Sequence, residues 1–470
     1  MSAVPLCLAL EGTLTPVRLS DERLLGAAKR SFSTVLGSLA SMLKGKDASA
    51  VAAVEPQGDV AALPLRAELV EWLQVQRGAG RRLVLLADGD CAAAEIIASR
   101  LQLFDEVTSA ESYQGSASER RRDALVARFG RQGFDYVGHG IDDQIVWRAA
   151  RRAIVVGDPK ALSGIVDAPA LEASILERKA TRRSWLKAMR PHQWSKNALL
   201  LIPALLAHTI FKPKILAVGL LAFLAFGLCA SSVYIVNDLF DLTTDRLHPR
   251  KRSRPFAAGT LSVRDGLRVA ALLFIVAALI AIAIGPRFVG VIASYYALTW
   301  VYSLWLKRLP ILDVMLLAGL YTLRIIAGAA AMHVPLSFWL LAFSVFMFLS
   351  LGFVKRYAEL DDARRAGTLI GYARGYGASD LPLIMSLGTA SGYSAIVVMA
   401  LYINSSDSQS LYQHHKPLWL ICPLMLFWIS RVWIVASRGQ MHDDPVVFAL
   451  HDRASLLILL ALGFIVLVSI

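Results

Sequence analysis

From residue 198 onward, apolar runs of bilayer-crossing length recur between short polar breaks, whereas the first 165 residues carry only short apolar runs. A helix needs roughly 20 apolar residues to cross the hydrocarbon layer. On that scale the C-terminal part predicts about nine transmembrane helices, near 198–211, 215–237, 268–286, 288–306, 311–331, 337–355, 381–403, 417–437 and 455–470. In the N-terminal part, apolar runs at 5–10, 82–86, 134–137 and 153–156 read as buried strands, with helical patterns such as 65–75 and 117–129 between them. Buried strands alternating with helices predict an open α/β sheet, whose sites lie at the carboxyl ends of the strands. The expected organisation is an α/β domain at 1–165, a linker with an interfacial segment at 166–197, and an all-α multi-pass membrane bundle at 198–470.

Charge orients this bundle. The formal net charge is +13. The connections 238–267, 307–310, 356–380 and 438–454, with their flanks, hold roughly 16 Lys and Arg against about four on the opposite side. That bias agrees with an N-terminal domain in the cytoplasm and a C-terminus outside; a bacterial inner-membrane location is expected. Basic residues lying between spans suit lipid headgroups and phosphorylated substrates, so no nucleic acid partner is expected. The four cysteines, Cys7, Cys91, Cys229 and Cys422, show neither metal-ligand spacing nor a disulfide framework. The first ten residues lack a charged n-region, so no cleavable signal peptide is expected. At 167–183 the chain reads as a charged helix or linker, and the basic residues interleaved with Trp185 and Trp194 fit the headgroup region.

The densest chemistry is Asn237-Asp238-Leu239-Phe240-Asp241-Leu242-Thr243-Thr244-Asp245, directly after the 215–237 run. On a continuing helix, residues three and four apart share a face. Asp238, Asp241 and Asp245 then form one stripe, joined by Asn237. Three neighbouring carboxylates repel unless a cation lies between them, and hard oxygen donors suit Mg²⁺ with substrate phosphates. Lys251, Arg252 and Arg254 follow closely, enough to cradle a diphosphate. Ionisable residues in or beside spans are functional candidates by default. Here these are Lys196, Asp313 and Arg324, with Arg431 read as a structural pair or a snorkelling side chain. Asp313 and Arg324 stand three helical turns apart and share a face. Tyr302 and Lys307 close the fourth span, as hydrogen bonder and phosphate ligand. Lys355 and Arg356 precede Glu359 at the end of the sixth. The last inner loop, 438–453, reads as a lid or brace.

Two resemblances follow from these residues. The first part resembles the haloacid-dehalogenase-like (HAD) phosphatases, over roughly 1–160. Their first strand ends Asp-x-Asp-Gly-Thr, and here those acidic positions are Ala9 and Glu11. The Ser or Thr of the second motif falls near Ala87, the basic residue of the third at Arg120, Arg121 or Arg122, and the metal-binding acids at Asp142 and Asp143. The resemblance implies a Rossmannoid fold. Without a carboxylate at position 9 no aspartyl-phosphate forms, so this domain is expected to be inactive and kept for docking, regulation or phosphate binding.

Residues 185–470 resemble the UbiA intramembrane prenyltransferases. The motif at 237–245, the span count and the Tyr302…Lys307 segment carry the likeness. It implies Mg²⁺ on the acidic motif and a diphosphate leaving group. Where ordinary members place a second Asp-rich motif, this chain has Lys355-Arg356-Tyr357-Ala358-Glu359. Together with Arg190-Pro191-His192-Gln193-Trp194-Ser195-Lys196-Asn197, His248 to Pro255, and Leu312-Asp313-Val314, this resembles the decaprenyl-phosphate phosphoribosyltransferase branch. That branch moves 5-phosphoribose from phosphoribosyl pyrophosphate to a polyprenyl phosphate, held here by Lys196, Lys307, Lys355 or Arg356. Prenyl transfer from a diphosphate to an aromatic acceptor such as 4-hydroxybenzoate is the alternative, and a transporter or lipid-binding scaffold a third. Homo-oligomerisation is compatible with all three.

Overall fold

The computed structural model describes residues 4–30, 60–157, 171–176, 180–248, 251–367, 375–441 and 444–470. Arg250, His442, Asp443 and the junction at 166–170 and 177–179 lie outside the described residues. The chain forms two compact units: Met1–Met189 with Tyr234–Ala271, and Arg190–Val233 with Leu272–Ile470.

The first unit is built on a six-stranded sheet of order β3-β2-β1-β4-β5-β6. The strands are β1 (Leu6–Ala9), β2 (Leu83–Ala87), β3 (Glu106–Ser109), β4 (Asp135–Gly138), β5 (Arg152–Gly157) and β6 (Leu171–Leu176). Every pairing is parallel. Successive side chains alternate faces. Leu6, Leu8, Leu83 and Leu85 therefore join one core with Leu69 and Leu73 of helix Ala67–Gly78. Cys7, Val84, Leu86 and Tyr136 join another with Leu125 and Trp147. A sheet buried on both faces requires the continuous apolar runs seen at β1, β2 and β5, while β4, Asp-Tyr-Val-Gly, buries Asp135 against Arg81 and Arg151. β3 and β6 escape the sequence pattern. β3 reads Glu-Val-Thr-Ser with no apolar run, and β6 is an edge strand, mixed with Glu and Ser, at a site predicted as helix or linker.

In the second unit, helices Leu312–Met332 and Phe338–Arg365 pack around Val314, Ala318, Ile325, Met347, Phe348 and Leu351. Close approach fixes the register of the first helix. A Cβ on Gly328 would lie 1.8 Å from the carbonyl oxygen of Leu200. Six helices are long and apolar enough to cross a membrane, and the bent pair Pro445–His451 and Arg453–Ser469 makes a seventh, among the described residues. The predicted span at 198–211 instead begins as a 3-10 helix, Pro191–Leu201, followed by the short helix Ile202–Leu206, whose second residue is Pro203. Helix Pro286–Leu304 has 19 residues, but Arg287, Trp300 and three tyrosines dilute its apolar character. Leu272, Ile275, Leu279 and Ile282 are exposed along one face of helix Val263–Ile284, and Leu457, Leu460, Phe464 and Leu467 along one face of Arg453–Ser469. Such apolar stripes have no use in water and suit lipid.

Candidate active site

In the first unit the acidic motif sits where helix Pro213–Phe240 ends and the short helix Leu242–Leu247 begins. The predicted continuous helix is broken at Asp241, with φ −94 and ψ 10. Thr244 Oγ1 donates to the Asp241 carbonyl at 2.8 Å, a local competition that loosens helical geometry. The i to i−4 spacing survives the break, because Asp241 N–H donates to Asn237 O at 2.9 Å and Asp245 N–H to Asp241 O at 2.8 Å. Asp238 and Asp245 are buried. Both accept from one atom, Arg254 Nη1, at 3.1 and 2.6 Å. Lys251 and Arg252 stand exposed in the turn Lys251–Ser253.

Among the described residues no three His, Cys, Asp or Glu side chains are already gathered as a metal cage. Asp238 and Asp245 nevertheless converge on a single cationic nitrogen. An all-oxygen set focused on one positive point fits a hard divalent ion. The sequence places Asn237 and Asp241, both half-buried, beside that point.

The second unit holds a basic cluster that centres on a residue outside the predicted site, Asp444. Its carboxylate accepts from Lys196 Nζ at 2.7 Å, Lys355 Nζ at 3.2 Å and Tyr321 Oη at 2.9 Å. Burial works against this carboxylate's charge, but Lys355 and Lys196 hold it well below the usual range. Burial pushes the Lys196 ammonium down to about 8 despite the pull of Asp444. Tyr321 joins this cluster to Arg324: Lys196 lies 5.4 Å and Arg324 5.6 Å from its ring centroid. Arg324 also faces Phe226 and Tyr295 and donates to Asn197 Oδ1 at 3.3 Å and Tyr295 Oη at 3.2 Å. The buried Asn197 Nδ2 finds no partner among the described residues.

Other predicted residues are committed to one another. Arg356 and Asp313, both fully buried, pair at 2.7 Å. Arg356 also holds Glu359, and Tyr376 Oη donates to Asp313 at 2.7 Å. Asp313 and Arg324, predicted to share a face, thus find separate partners. Tyr376 Oη in turn accepts from the N–H of Ile311, a β-branched residue at φ +69, which costs strain. Tyr302 and Lys307 are half-buried at the end of helix Pro286–Leu304 and in the following turn. Arg431 forms a two-point pair with Asp452 at 2.6 and 2.9 Å, a structural brace as expected.

The N-terminal sheet has its switch point between β1 and β4, where a ligand would bind in an open α/β sheet. That crevice is filled. The His139 ring lies over Gly12, where a Cβ would come within 2.3 Å of it. Gly12 has φ +74, so glycine suits both the turn and the contact. Of the three candidate basic residues, Arg121 is the buried one. It bonds Asp88 at 2.7 Å and Asp143 at 3.0 Å. Asp143 also accepts from His139 N–H at 2.9 Å. Burial alone would raise Asp143; the His139 hydrogen bonds and the Arg121 charge bring it to about 2. Glu11 is raised by burial and by Asp88. Asp142 is exposed, and Ala9 is buried at the end of β1.

The sequence model of the UbiA prenyltransferase family matches residues 198–455. A Sinorhizobium fredii protein, "Uncharacterized protein y4nM", is 35% identical over 96% of this chain and 88% of its own length. The nodulation protein NoeC of Azorhizobium caulinodans is 37% identical over 60% of this chain and 91% of that protein. The decaprenyl-phosphate phosphoribosyltransferase of Mycolicibacterium smegmatis is 32% identical over 59% of this chain and 89% of that protein.

Proposed function

The chain belongs to the UbiA prenyltransferase family, and from that premise we propose that this integral membrane transferase moves 5-phosphoribose from phosphoribosyl pyrophosphate to a polyprenyl phosphate at the cytoplasmic face. The observation that carries this is the meeting of Lys196 and Lys355 at the buried Asp444. Two ammonium groups in a low-dielectric setting suit an anionic acceptor and offer nothing specific to a neutral aromatic ring. The likeness to a relative named decaprenyl-phosphate phosphoribosyltransferase supports the same substrates.

In this reaction the bond between the sugar C1 and the pyrophosphate oxygen breaks, and C1 bonds to a phosphate oxygen of the lipid. Pyrophosphate leaves with the electron pair. The attacking oxyanion carries its own lone pair, so no general base is required. Asn237, Asp238, Asp241 and Asp245 would hold Mg²⁺, which when bound supplies charge neutralisation to the departing diphosphate. Lys251, Arg252 and Arg254 neutralise the remaining donor charge. Arg254, on leaving Asp238 and Asp245, turns from counter-ion to phosphate ligand. Lys196 and Lys355 bind the acceptor phosphate, with Lys307 and Tyr302 assisting. Arg356, Asp313 and Glu359 keep helix Phe338–Arg365 in register with helix Leu312–Met332.

The N-terminal domain is of haloacid-dehalogenase-like descent and does no phosphoryl chemistry. Ala9 stands for the nucleophile and Ala87 for the hydroxyl residue, while Arg121 satisfies the acids that remain.

The test uses purified protein, Mg²⁺, labelled phosphoribosyl pyrophosphate and a polyprenyl phosphate. Label enters the organic phase, and is lost with chelator or in Asp238→Ala. Prenylated 4-hydroxybenzoate from a polyprenyl diphosphate, with no label in lipid, would overturn the assignment.

A further inference from the structure

The loop that follows the acidic motif is not held by membrane helices alone. Arg246, the residue after Asp245, sends both terminal nitrogens to Glu22, at 3.0 and 2.6 Å. Its Nε donates to Ala257 O across the same loop at 3.3 Å. Arg264, where the loop enters helix Val263–Ile284, donates from Nε to Asp21 at 2.9 Å. Asp21 and Glu22 are neighbours in the first turn of helix Leu19–Arg30. Both ion pairs are largely shielded: the Arg246 and Glu22 side chains are 4% and 13% exposed, and those of Arg264 and Asp21 17% and 5%. The Arg246–Glu22 pair is two-point, which fixes direction as well as distance.

Further contacts grip the same loop. Gly259, at φ +72, lies so close to Pro16 that a Cβ would come within 2.6 Å of its ring. Lys187 donates to Ser253 O at 2.7 Å, and Trp185 meets Phe256 edge-on at 6.4 Å. The pinned points, Arg246, Ser253, Phe256, Gly259 and Arg264, bracket Arg254, the residue that joins Asp238 to Asp245. Pro16, Asp21 and Glu22 follow β1 at the same carboxyl end of the sheet, beside the filled crevice, but are not among Gly12, Asp88, Arg121, His139 and Asp143, which fill it. That end of the sheet therefore also grips the loop that follows the acidic motif.

We propose that the N-terminal domain is a clamp on the acidic loop, and that Asp21 and Glu22 are positioning residues for the metal and diphosphate site. They act through Arg264 and Arg246, which set where Asp245 and Arg254 stand. The inference rests on assigning a divalent cation to Asp238, Asp241 and Asp245. Residues that orient ligands from behind typically change metal affinity or activity by about 10–100-fold when removed.

The experiment is Mn²⁺ binding to the full-length protein in detergent, followed by electron paramagnetic resonance, with phosphoribosyl transfer measured in parallel. Asp21→Asn with Glu22→Gln should weaken Mn²⁺ binding about tenfold or more, while the thermal transition shows the protein still folded. The paired exchange Glu22→Arg with Arg246→Glu should recover part of that loss, which a general packing defect would not do. Wild-type Mn²⁺ affinity in the double variant overturns the clamp and leaves the metal assignment intact. No saturable Mn²⁺ binding in the wild-type protein overturns the metal assignment and the clamp with it. Mn²⁺ binding that responds to the variants, without label entering lipid, upholds the clamp and removes only the choice of substrates.

Discussion

Single side chains carry the sharpest consequences. Lys196 has an ammonium pKa brought down to about 8 by burial, against the pull of Asp444. In the folded protein its proton is therefore lost as pH rises through about 8, while the unfolded chain keeps it to the ordinary lysine range. Stability from this group thus rises with pH across that window, but the cation proposed to hold the acceptor phosphate disappears. The profile of kcat/KM reports the free enzyme, so it should fall above about pH 8. Lys196→Arg, charged throughout, should lack that limb. A wild-type profile flat to well above pH 9 would remove Lys196 from phosphate binding. In the filled crevice, Arg121→Met leaves Asp88 and Asp143 without their shared counter-charge. Breaking a buried pair in this way costs about 3–5 kcal/mol. Hydrogen exchange in β4, which ends beside Asp143, should accelerate; unchanged protection there would show that Arg121 is dispensable. The acidic motif was visible in sequence because its members repeat at helical spacing. Asp444 was not, because its partner Lys196 lies 248 residues away and Tyr321 lies 123 away. Local pattern carries no information about such meetings.

At the level of elements, legibility followed hydrophobic length. Strands β1, β2 and β5 announce themselves as apolar runs, β4 less so because Asp135 interrupts it, whereas β3 and β6 are defined by the neighbours they pair with. The segment at 198–211 has the composition of a span but not the helix, since a 3-10 stretch and Pro203 interrupt it. That irregular stretch carries Lys196 and Asn197, and Gly328 is what lets helix Leu312–Met332 lie against it. Gly328→Ala places a methyl 1.8 Å from Leu200 O, where backbone must move. Overpacking of this kind costs about 1–3 kcal/mol. A lowered thermal transition in detergent is expected, with weaker use of the lipid phosphate because Lys196 is displaced. An unaltered transition would mean that the 3-10 segment yields freely and is not a fixed platform.

For the whole molecule, hydropathy and packing divide the chain differently. Hydropathy sees one boundary near residue 198, because it reads each window alone. Packing assigns 234–271, the acidic loop and its flanks, to the unit that contains the N-terminal sheet. The proposed orientation puts the N-terminal domain and that loop on the same, cytoplasmic side, the side that an excess of Lys and Arg in the connections favours. The orientation is open to a direct measurement. In a background without the four native cysteines, Ser262→Cys should react with a membrane-impermeant maleimide only in inverted vesicles. With helix Pro286–Leu304 counted as a crossing, five helices separate that site from Ser405→Cys, just past helix Leu381–Ile403, which should react only in right-side-out ones. Labelling of both from the same side would require one fewer or one more crossing between them. Reaction of Ser262→Cys from outside would place the acidic motif away from the cytoplasm. A soluble phosphorylated donor such as phosphoribosyl pyrophosphate would then be out of reach, and the proposed reaction would fail on topology alone.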